Sequence, residues 1–388
     1  MRARSLAVSA SLIVAVAGCA KHAGGVALTA PMSAPEAWGL LQPGGYAVRI
    51  DTLMRHAPAK TGWASGDRPL QVTIWSPARV AGEPMRYRDY VGLTANQATL
   101  EPGAAEGAAK AVGSLKDFIV STGSSAESVD RWLDMPVAAS WSAMPAERRF
   151  PLIVIAQGNY HSAYNQAVLA EYLASHGYVV ATSASPLVLE ESPDSTSLIT
   201  RARRQAADIE YVVELVRGKG NVDSTRTGIV AHSFGARAAF VAIADGAPFR
   251  SFVSLDGGIA NKLGSDWLSG TPLDSAPLAI PLLHFYQDKD ETVQPDFTRV
   301  RAWRGSNRTL VHVDEMYHPY FTSLGFVAAA DTALHVAPKV SDLDAKVAGV
   351  VQMTTQFLDA TLKRGAPTAA LSGASVAPFS VQRIAVGQ

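Results

Sequence analysis

The stretch that most constrains the fold runs from Thr227 to Val241, where a short apolar strand (Gly228–Ala231) leads directly into an alanine-rich helix. Ser233 lies at the junction, and the small residues Ala231 and Gly235 stand two positions away on either side. A strand that reverses into a helix at this point brings two backbone segments too close together for large side chains. The serine then lies on a strained turn with its hydroxyl held out over the sheet edge, which suits a nucleophile. An ordinary N-cap serine is the alternative, and the strand that precedes Ser233 favours the nucleophile turn.

The sequence around this turn alternates strands with helices. Strands are predicted at Leu152–Ala156, Tyr178–Thr182, Ser251–Leu255, Pro281–Tyr286 and Arg308–Asp314, and helices at Ala163–His176, Thr200–Arg217, near Thr298 and at about Ser341–Lys363. This alternation predicts an α/β fold, a mostly parallel sheet with helices on both faces. Ligands of such sheets bind outside the carboxyl ends of the strands, and Ser233 follows one of those ends.

The first part of this domain, which we place at residues 45–364, follows a different pattern. Two strands are predicted at Tyr46–Asp51 and Leu70–Trp75, the second ended by Ser76-Pro77. Residues 85–148 then form a helical insertion between strands 2 and 3, with helices at about 104–120 and 126–133. We interpret it as a cap packed over or beside the strand ends; a surface excursion would give the same pattern.

Two terminal segments are predicted to lie outside this domain. Residues 19–44 are rich in Ala, Gly and Pro and are interpreted as a tether, and residues 365–388 as a loose C-terminal tail.

The amino terminus has the pattern of an export signal. Arg2 and Arg4 precede a short apolar core, Leu6 to Ala17, which is too brief to span a bilayer. The core ends in Val-Ala-Gly-Cys19, which resembles the lipobox of bacterial lipoproteins and implies cleavage of residues 1–18 and lipid attachment to Cys19. The expected location is the cell envelope, and Ala20 is typical of lipoproteins transferred to the outer membrane. A plain secretory signal is the alternative.

Charge composition argues against one class of partner. The chain has 34 basic and 34 acidic residues, a formal net charge of zero. No basic surface is therefore expected to hold nucleic acid.

A serine nucleophile requires a histidine base and an orienting carboxylate, which on this fold follow in the order Ser, acid, His. Four histidines follow Ser233. His284 and His312 fall inside predicted strands, whereas His318 lies in a loop after the last strand and His335 is farther on. His318 is therefore the predicted base, with a surface loop histidine as the alternative.

Two residues are candidates for the acid. Asp256 ends a strand before two glycines that allow a tight turn, and Asp290 follows the next strand. Either could be a turn aspartate that bonds its own backbone. The oxyanion donors are predicted to be the backbone N–H of Phe234 and, in the first glycine turn, that of Asn159.

These stretches resemble the α/β-hydrolase superfamily, and within it the platelet-activating-factor acetylhydrolases and dienelactone-hydrolase-like proteins. The resemblance is carried by the strand, turn and helix over residues 150–181, the elbow around Ser233, and the interval to Asp256. It implies Ser233 as nucleophile, Asp256 as acid, His318 as base, and the amides of Asn159 and Phe234 as oxyanion donors.

Two residues depart from that family pattern. Gln157 stands where His is usual before Gly158, and Asp290 is present where cutinase-like polyester hydrolases place their acid. Asp290 therefore stays the alternative acid.

The sequence thus predicts a serine esterase for carboxylic esters with short acyl groups, without a metal or organic cofactor. The alternatives are a polyester or aryl-ester hydrolase, an acyltransferase to alcohols, and a non-catalytic envelope lipoprotein that uses the fold for binding.

Overall fold

The computed structural model describes residues 34–58, 68–97, 100, 105–188, 197–364, 371 and 377–388. The predicted signal peptide, Cys19 and the first part of the predicted tether lie outside these residues. None of the described helices is both long and apolar enough to cross a membrane.

The strands of the described residues form one mixed sheet of eleven strands. They are β1 (Ala47–Ala57), β2 (Arg68–Val80), β3 (Ala139–Ser140), β4 (Met144–Pro145), β5 (Phe150–Ala156), β6 (Val179–Ser183), β7 (Val222–His232), β8 (Phe252–Leu255), β9 (Leu282–Tyr286), β10 (Arg308–Val313) and β11 (Phe379–Ile384). Their order is β11-β10-β9-β8-β7-β5-β6-β2-β1-β3, with β4 against β2. The six strands from β10 to β6 are parallel, and β1, β2 and β11 join antiparallel.

Helices cover both faces of the sheet. They are α1 (Tyr87–Gly92), α2 (Ala105–Ser121), α3 (Ala126–Asp134), α4 (Ala167–Ser175), α5 (Leu198–Arg217), α6 (Gly235–Ala244), α7 (Thr298–Ala302), α8 (Ser323–Ala330) and α9 (Leu343–Leu358). Buried residues of β5 alternate between two cores, Ile153 and Ile155 packing with α4 and α9, and Leu152 and Val154 packing with α5 and α6. The predicted α/β fold is therefore confirmed.

The insertion packs against α4, where the Tyr90 hydroxyl and the Ala139 N–H donate to Glu171. The Tyr87 hydroxyl donates to the Tyr164 carbonyl, and Arg131 forms an ion pair with Asp331 after α8. Besides its helices the insertion carries β3 and β4, which the sequence pattern did not predict.

The prediction that β2 ends at Ser76-Pro77 is wrong, because the strand continues to Val80 and Pro77 pairs with Val48. The Pro77 carbonyl accepts from the Ala146 N–H, on the side of β2 away from β1. Since N–H and C=O of one strand residue point to the same side, the missing N–H of Pro77 removes no bond to β1.

Parts of both terminal segments belong to the fold, which corrects the predicted tether and tail. Trp38 and Leu41 are completely buried, and Trp38 donates to the buried carboxylate of Glu171. Near the carboxyl terminus, β11 pairs with β10 over six residues. Burial of Trp38 and Leu41 holds the first segment against the domain, and pairing with β10 holds the second.

Candidate active site

The predicted nucleophile lies on the sharp turn between β7 and α6. Ser233 has a positive φ of 53°, which few residues other than glycine adopt. A side chain at Gly235 would overlap the carbonyl oxygen of Ala156, so the turn requires glycine there. The strand and helix thus hold the Ser233 hydroxyl at the carboxyl edge of the sheet.

Three predicted residues form a chain of hydrogen bonds at this edge. His318 Nε2 lies 2.9 Å from Ser233 Oγ, and His318 Nδ1 lies 2.7 Å from Asp256 Oδ2. His318 begins a short 3₁₀ turn after β10. Its side chain is 18% exposed and that of Asp256 4%. With the proton on Nδ1, the imidazole donates to Asp256 and can accept the serine proton at Nε2.

Asp256 follows β8 in another left-handed turn, with φ of 43°. A side chain at Gly257 would overlap Ser254 Oγ, so the glycine that marked this turn in the sequence is sterically required. Burial raises the pKa of Asp256, and the hydrogen bond from His318 opposes that rise.

Gln287 is a site residue that the sequence reasoning missed. Its Nε2 lies 3.3 Å from Asp256 Oδ2, and its Oε1 accepts from the N–H groups of Lys289 and Asp290. Its place directly after β9 was the available signal. Gln287 thus links the Asp256 carboxylate to the end of β9.

The structure does not bring the alternative acid to His318. Asp290 Oδ1 accepts from the backbone N–H and the hydroxyl of Thr292, which caps the short turn Glu291–Val293. It is the turn aspartate that the sequence allowed, because its carboxylate bonds the backbone of its own turn.

The two predicted oxyanion donors lie in the turns after β5 and β7. Within the described part of the chain, neither the Asn159 nor the Phe234 backbone N–H donates a hydrogen bond. The turn before Asn159 is held by Gln157. Its side-chain Nε2 donates to Thr182 Oγ1, and its backbone carbonyl accepts from Gln205 Nε2. Gln157 therefore serves as a buried support where the resembling families carry His.

A small cavity of about 10 Å³ adjoins both donor residues. It is lined by Asn159, Ser185, Pro186, Leu187, Arg201, Arg204, Gln205 and Phe234. This is about the room of one water molecule.

Two guanidinium groups flank the Phe234 ring. The Arg201 Cζ lies 4.9 Å from the ring centroid and the Arg237 Cζ 5.7 Å. Arg237 donates from Nε to the carbonyl of Gly258, and burial lowers its pKa to about 10. Both cations lie over the faces of this ring.

The remaining histidines after Ser233 lie elsewhere. His284 is buried in β9, where Nδ1 lies 2.9 Å from Ser254 Oγ, and His312 is in β10 as predicted. The His335 backbone contacts the insertion through Thr122 and Ser124. Among the described residues, no group of three or more His, Cys, Asp or Glu side chains is arranged to hold a metal ion.

Comparison with known proteins supports the fold. No family model and no curated protein sequence matches the chain. Its structure is similar to that of a ferulic acid esterase from Streptomyces cinnamoneus, solved at 2.4 Å resolution, with a TM-score of 0.61 and 20% sequence identity. The match covers 92% of this chain and 98% of the esterase. The likeness shows a shared α/β architecture over nearly the whole length of both chains.

Proposed function

We propose that this protein hydrolyses carboxylic esters through an acyl-serine intermediate. The observation that carries the proposal is the chain of hydrogen bonds from Ser233 through His318 to Asp256, at 2.9 and 2.7 Å. A serine on a strained elbow, a base and a buried acid in this order are the elements of serine hydrolysis.

In the first half of the reaction, Ser233 Oγ attacks the ester carbonyl while His318 Nε2 takes the hydroxyl proton. The carbonyl oxygen becomes an oxyanion that accepts from the N–H groups of Asn159 and Phe234. Asp256 stabilises the imidazolium through Nδ1. Collapse of the intermediate breaks the ester C–O bond, and His318 gives its proton to the leaving alcohol.

In the second half, a water molecule gives a proton to His318 Nε2 and attacks the acyl carbonyl. The same two amides hold the new oxyanion. The C–O bond to Ser233 then breaks, His318 returns the proton to Ser233 Oγ, and the carboxylic acid leaves.

We assign short acyl groups to the substrate. The support is the resemblance of residues 150–181 and of the elbow around Ser233 to acetylhydrolases. The cavity of about 10 Å³ beside Asn159 and Phe234 has room for one water molecule and not for an acyl chain. A nitrophenyl ester series tests this on the purified full-length protein: kcat/KM should fall steeply beyond four acyl carbons. A flat profile would contradict a small acyl pocket.

A second candidate is hydrolysis of aryl esters. Tyr160 directly follows an oxyanion donor, is 53% exposed, and adopts a positive φ of 60°. An exposed ring at this position can stack on an aromatic acyl group, and the structurally similar protein from Streptomyces cinnamoneus is a ferulic acid esterase. Methyl ferulate would then be preferred over methyl butyrate, and Tyr160→Ala would remove the preference.

A fluorophosphonate probe tests whether the protein is a serine hydrolase at all. The wild type should be labelled and lose ester hydrolysis, and Ser233→Ala should show neither labelling nor turnover. An unlabelled wild type would favour the non-catalytic binding protein.

A further inference from the structure

Three imidazole rings are stacked behind the proposed nucleophile. The rings of His232 and His318 have centroids 4.7 Å apart and planes 28° apart. The His161 ring lies on the other side of His232, 5.2 Å away and nearly parallel at 3°. The mechanism proposed above uses only His318, so two of the three rings have no assigned role.

The two supporting rings are neutral near pH 7. Burial is the main reason that the pKa of His161 falls to about 4 and that of His232 falls well below its usual value. A proton on His318 lowers both further, because like charges repel. A neutral ring can lie against the His318 imidazolium without opposing its charge.

The middle ring offers its face and not its nitrogen atoms. His232 is 1% exposed, and neither of its ring nitrogens makes a hydrogen bond of good geometry within the described part of the chain; their polar contact is a weak one with the His318 backbone, which opposes the fall of the His232 pKa. The described contacts of this buried imidazole are therefore mainly those of its two faces, with His318 on one side and His161 on the other.

The stack also abuts the oxyanion turn. A Cβ atom at Gly158 would lie 2.8 Å from His232 Nδ1 and 3.2 Å from His161 Nδ1. Glycine therefore lets the backbone before Asn159 lie directly against the rings. The stack thus joins the turn that supplies one oxyanion donor to the base that supplies the proton.

His318 requires such support because it lies at the first residue of a short 3₁₀ turn. Its two ring nitrogens must reach Ser233 and Asp256 at once, which only one ring plane allows. A ring packed on one face opposes rotation out of that plane, and an aromatic face attracts a cation placed over it.

We propose that His232 is a positioning residue for His318: its ring, backed by His161, holds the imidazole in the plane that joins Ser233 to Asp256 and stabilises the imidazolium formed in each half-reaction. The proposal rests on the proposed ester hydrolysis. It predicts that the aromatic face matters and that the nitrogen atoms of His232 do not.

The decisive comparison is His232→Phe against His232→Leu in the full-length protein. Both changes remove the nitrogens, and only Phe keeps a ring. The Leu variant should lose about tenfold in kcat with KM within about twofold, as expected for a stabilised cation in the transition state. The Phe variant should stay within about threefold of wild type. His232→Met serves the same purpose if the Leu variant does not fold.

Equal losses in the Phe and Leu variants, or a Leu variant with wild-type kcat, would overturn the proposal. His161→Leu is the graded control, since it removes only the outer ring and should reduce kcat less than His232→Leu.

A second measurement does not depend on turnover. The His318 Nδ1 proton bound to Asp256 should give a downfield proton NMR signal, assigned by its absence in His318→Gln. The signal should stay sharp in His232→Phe and broaden in His232→Leu, because a freer ring exchanges its proton faster. An unchanged signal in the Leu variant contradicts positioning.

The two proposals fail differently. If the wild type hydrolyses no ester but the NMR signals behave as expected, the proposed function is wrong and the positioning of His318 by His232 still holds. Ester hydrolysis at the same rate with and without an aromatic ring at position 232 would contradict only the positioning role of His232.

Discussion

Three residues around the candidate site share an unusual backbone conformation. Tyr160, Ser233 and Asp256 have φ values of 60°, 53° and 43°, and none of them is glycine. Such angles are unfavourable for residues with a Cβ atom and persist only where the surrounding fold imposes them. At this site they place an aromatic ring, a hydroxyl and a carboxylate at the same sheet edge.

The contrast between Asp256 and Asp290 gives the first prediction. Asp256→Asn keeps the size of the side chain but removes the charge that stabilises the His318 imidazolium. We expect kcat to fall by about 10⁴-fold. Asp290→Asn should change kcat by less than about threefold, because among the described residues the Asp290 carboxylate bonds only to Thr292. Steady-state kinetics with a nitrophenyl ester measure both.

Similar losses in the two variants would contradict this assignment of the acid. A fluorescence unfolding curve for each variant separates lost chemistry from lost fold.

At the scale of secondary structure, the sequence was informative where periodicity was strong. The central strands and long helices follow the predicted alternation, with ends that differ by a few residues. The elbow could be predicted because small residues flank Ser233. The sequence left the proposed acid open, because Asp256 and Asp290 both follow strands and only tertiary packing shows which carboxylate meets His318.

The strands that the sequence did not predict are short, or they adjoin segments whose composition is typical of loops. β11 alternates apolar Phe379 and Val381 with polar Ser380 and Gln382, but it follows a run rich in Ala, Gly and Ser. A strand at a sheet edge needs only one partner, so its sequence pattern is weak.

Glu171 on α4 links three parts of the chain and gives a second prediction. Its buried carboxylate accepts from Trp38 Nε1, the Tyr90 hydroxyl, and the N–H groups of Ala138 and Ala139, at 2.5 to 3.1 Å. Glu171→Gln replaces one acceptor oxygen by a donor that faces other donors. We expect the free energy of unfolding to fall by about 2 to 4 kcal/mol, measured by urea denaturation.

The matched control for this change is Glu214→Gln on the exposed face of α5, which should alter stability by less than about 0.5 kcal/mol. Equal stability of the two variants would mean that the Glu171 hydrogen bonds do not hold the insertion.

β11 gives a third prediction. Removal of residues 379–388 would expose the edge of β10 and the apolar surface under Phe379 and Val381. We expect a loss of about 2 kcal/mol in stability and self-association at the free edge, detected by urea denaturation and light scattering.

Gln382→Ala, a change at an exposed side chain of the same strand, keeps every paired residue of β11. That variant should remain monodisperse. Aggregation of this variant and the truncation to the same extent would mean that the strand does not protect the edge.

At the scale of the whole molecule, the proposed attachment to a membrane would depend on Cys19, the only cysteine of the chain. We propose that its thiol carries lipid, on the strength of the Val-Ala-Gly-Cys motif. Radiolabelled palmitate fed to an expressing bacterium should enter the wild type and not Cys19→Ala. Equal labelling of the variant would contradict lipid attachment to Cys19 and favour a plain secretory signal.

Acid sensitivity of the fold follows from buried histidines. Burial lowers the pKa of His284 to about 3, whereas an unfolded histidine titrates near 6.5. Between these pH values the unfolded chain binds more protons, so the stability present above pH 6.5 is lost as pH falls. His161 acts in the same direction, and the raised pKa values of Glu171 and Asp256 act in the opposite one.

A variant isolates the contribution of one such histidine from these opposing groups. Urea denaturation of the wild type and His284→Gln at pH 7.5 and 5.0 should show that the variant loses about 2 kcal/mol less on acidification, since its side chain takes up no proton when the chain unfolds. His56→Gln, a change at an exposed histidine, is the control and should follow the wild type. If His284→Gln loses as much stability between the two pH values as His56→Gln, the His284 ring is not held neutral by burial, and the acid sensitivity of the fold has another origin.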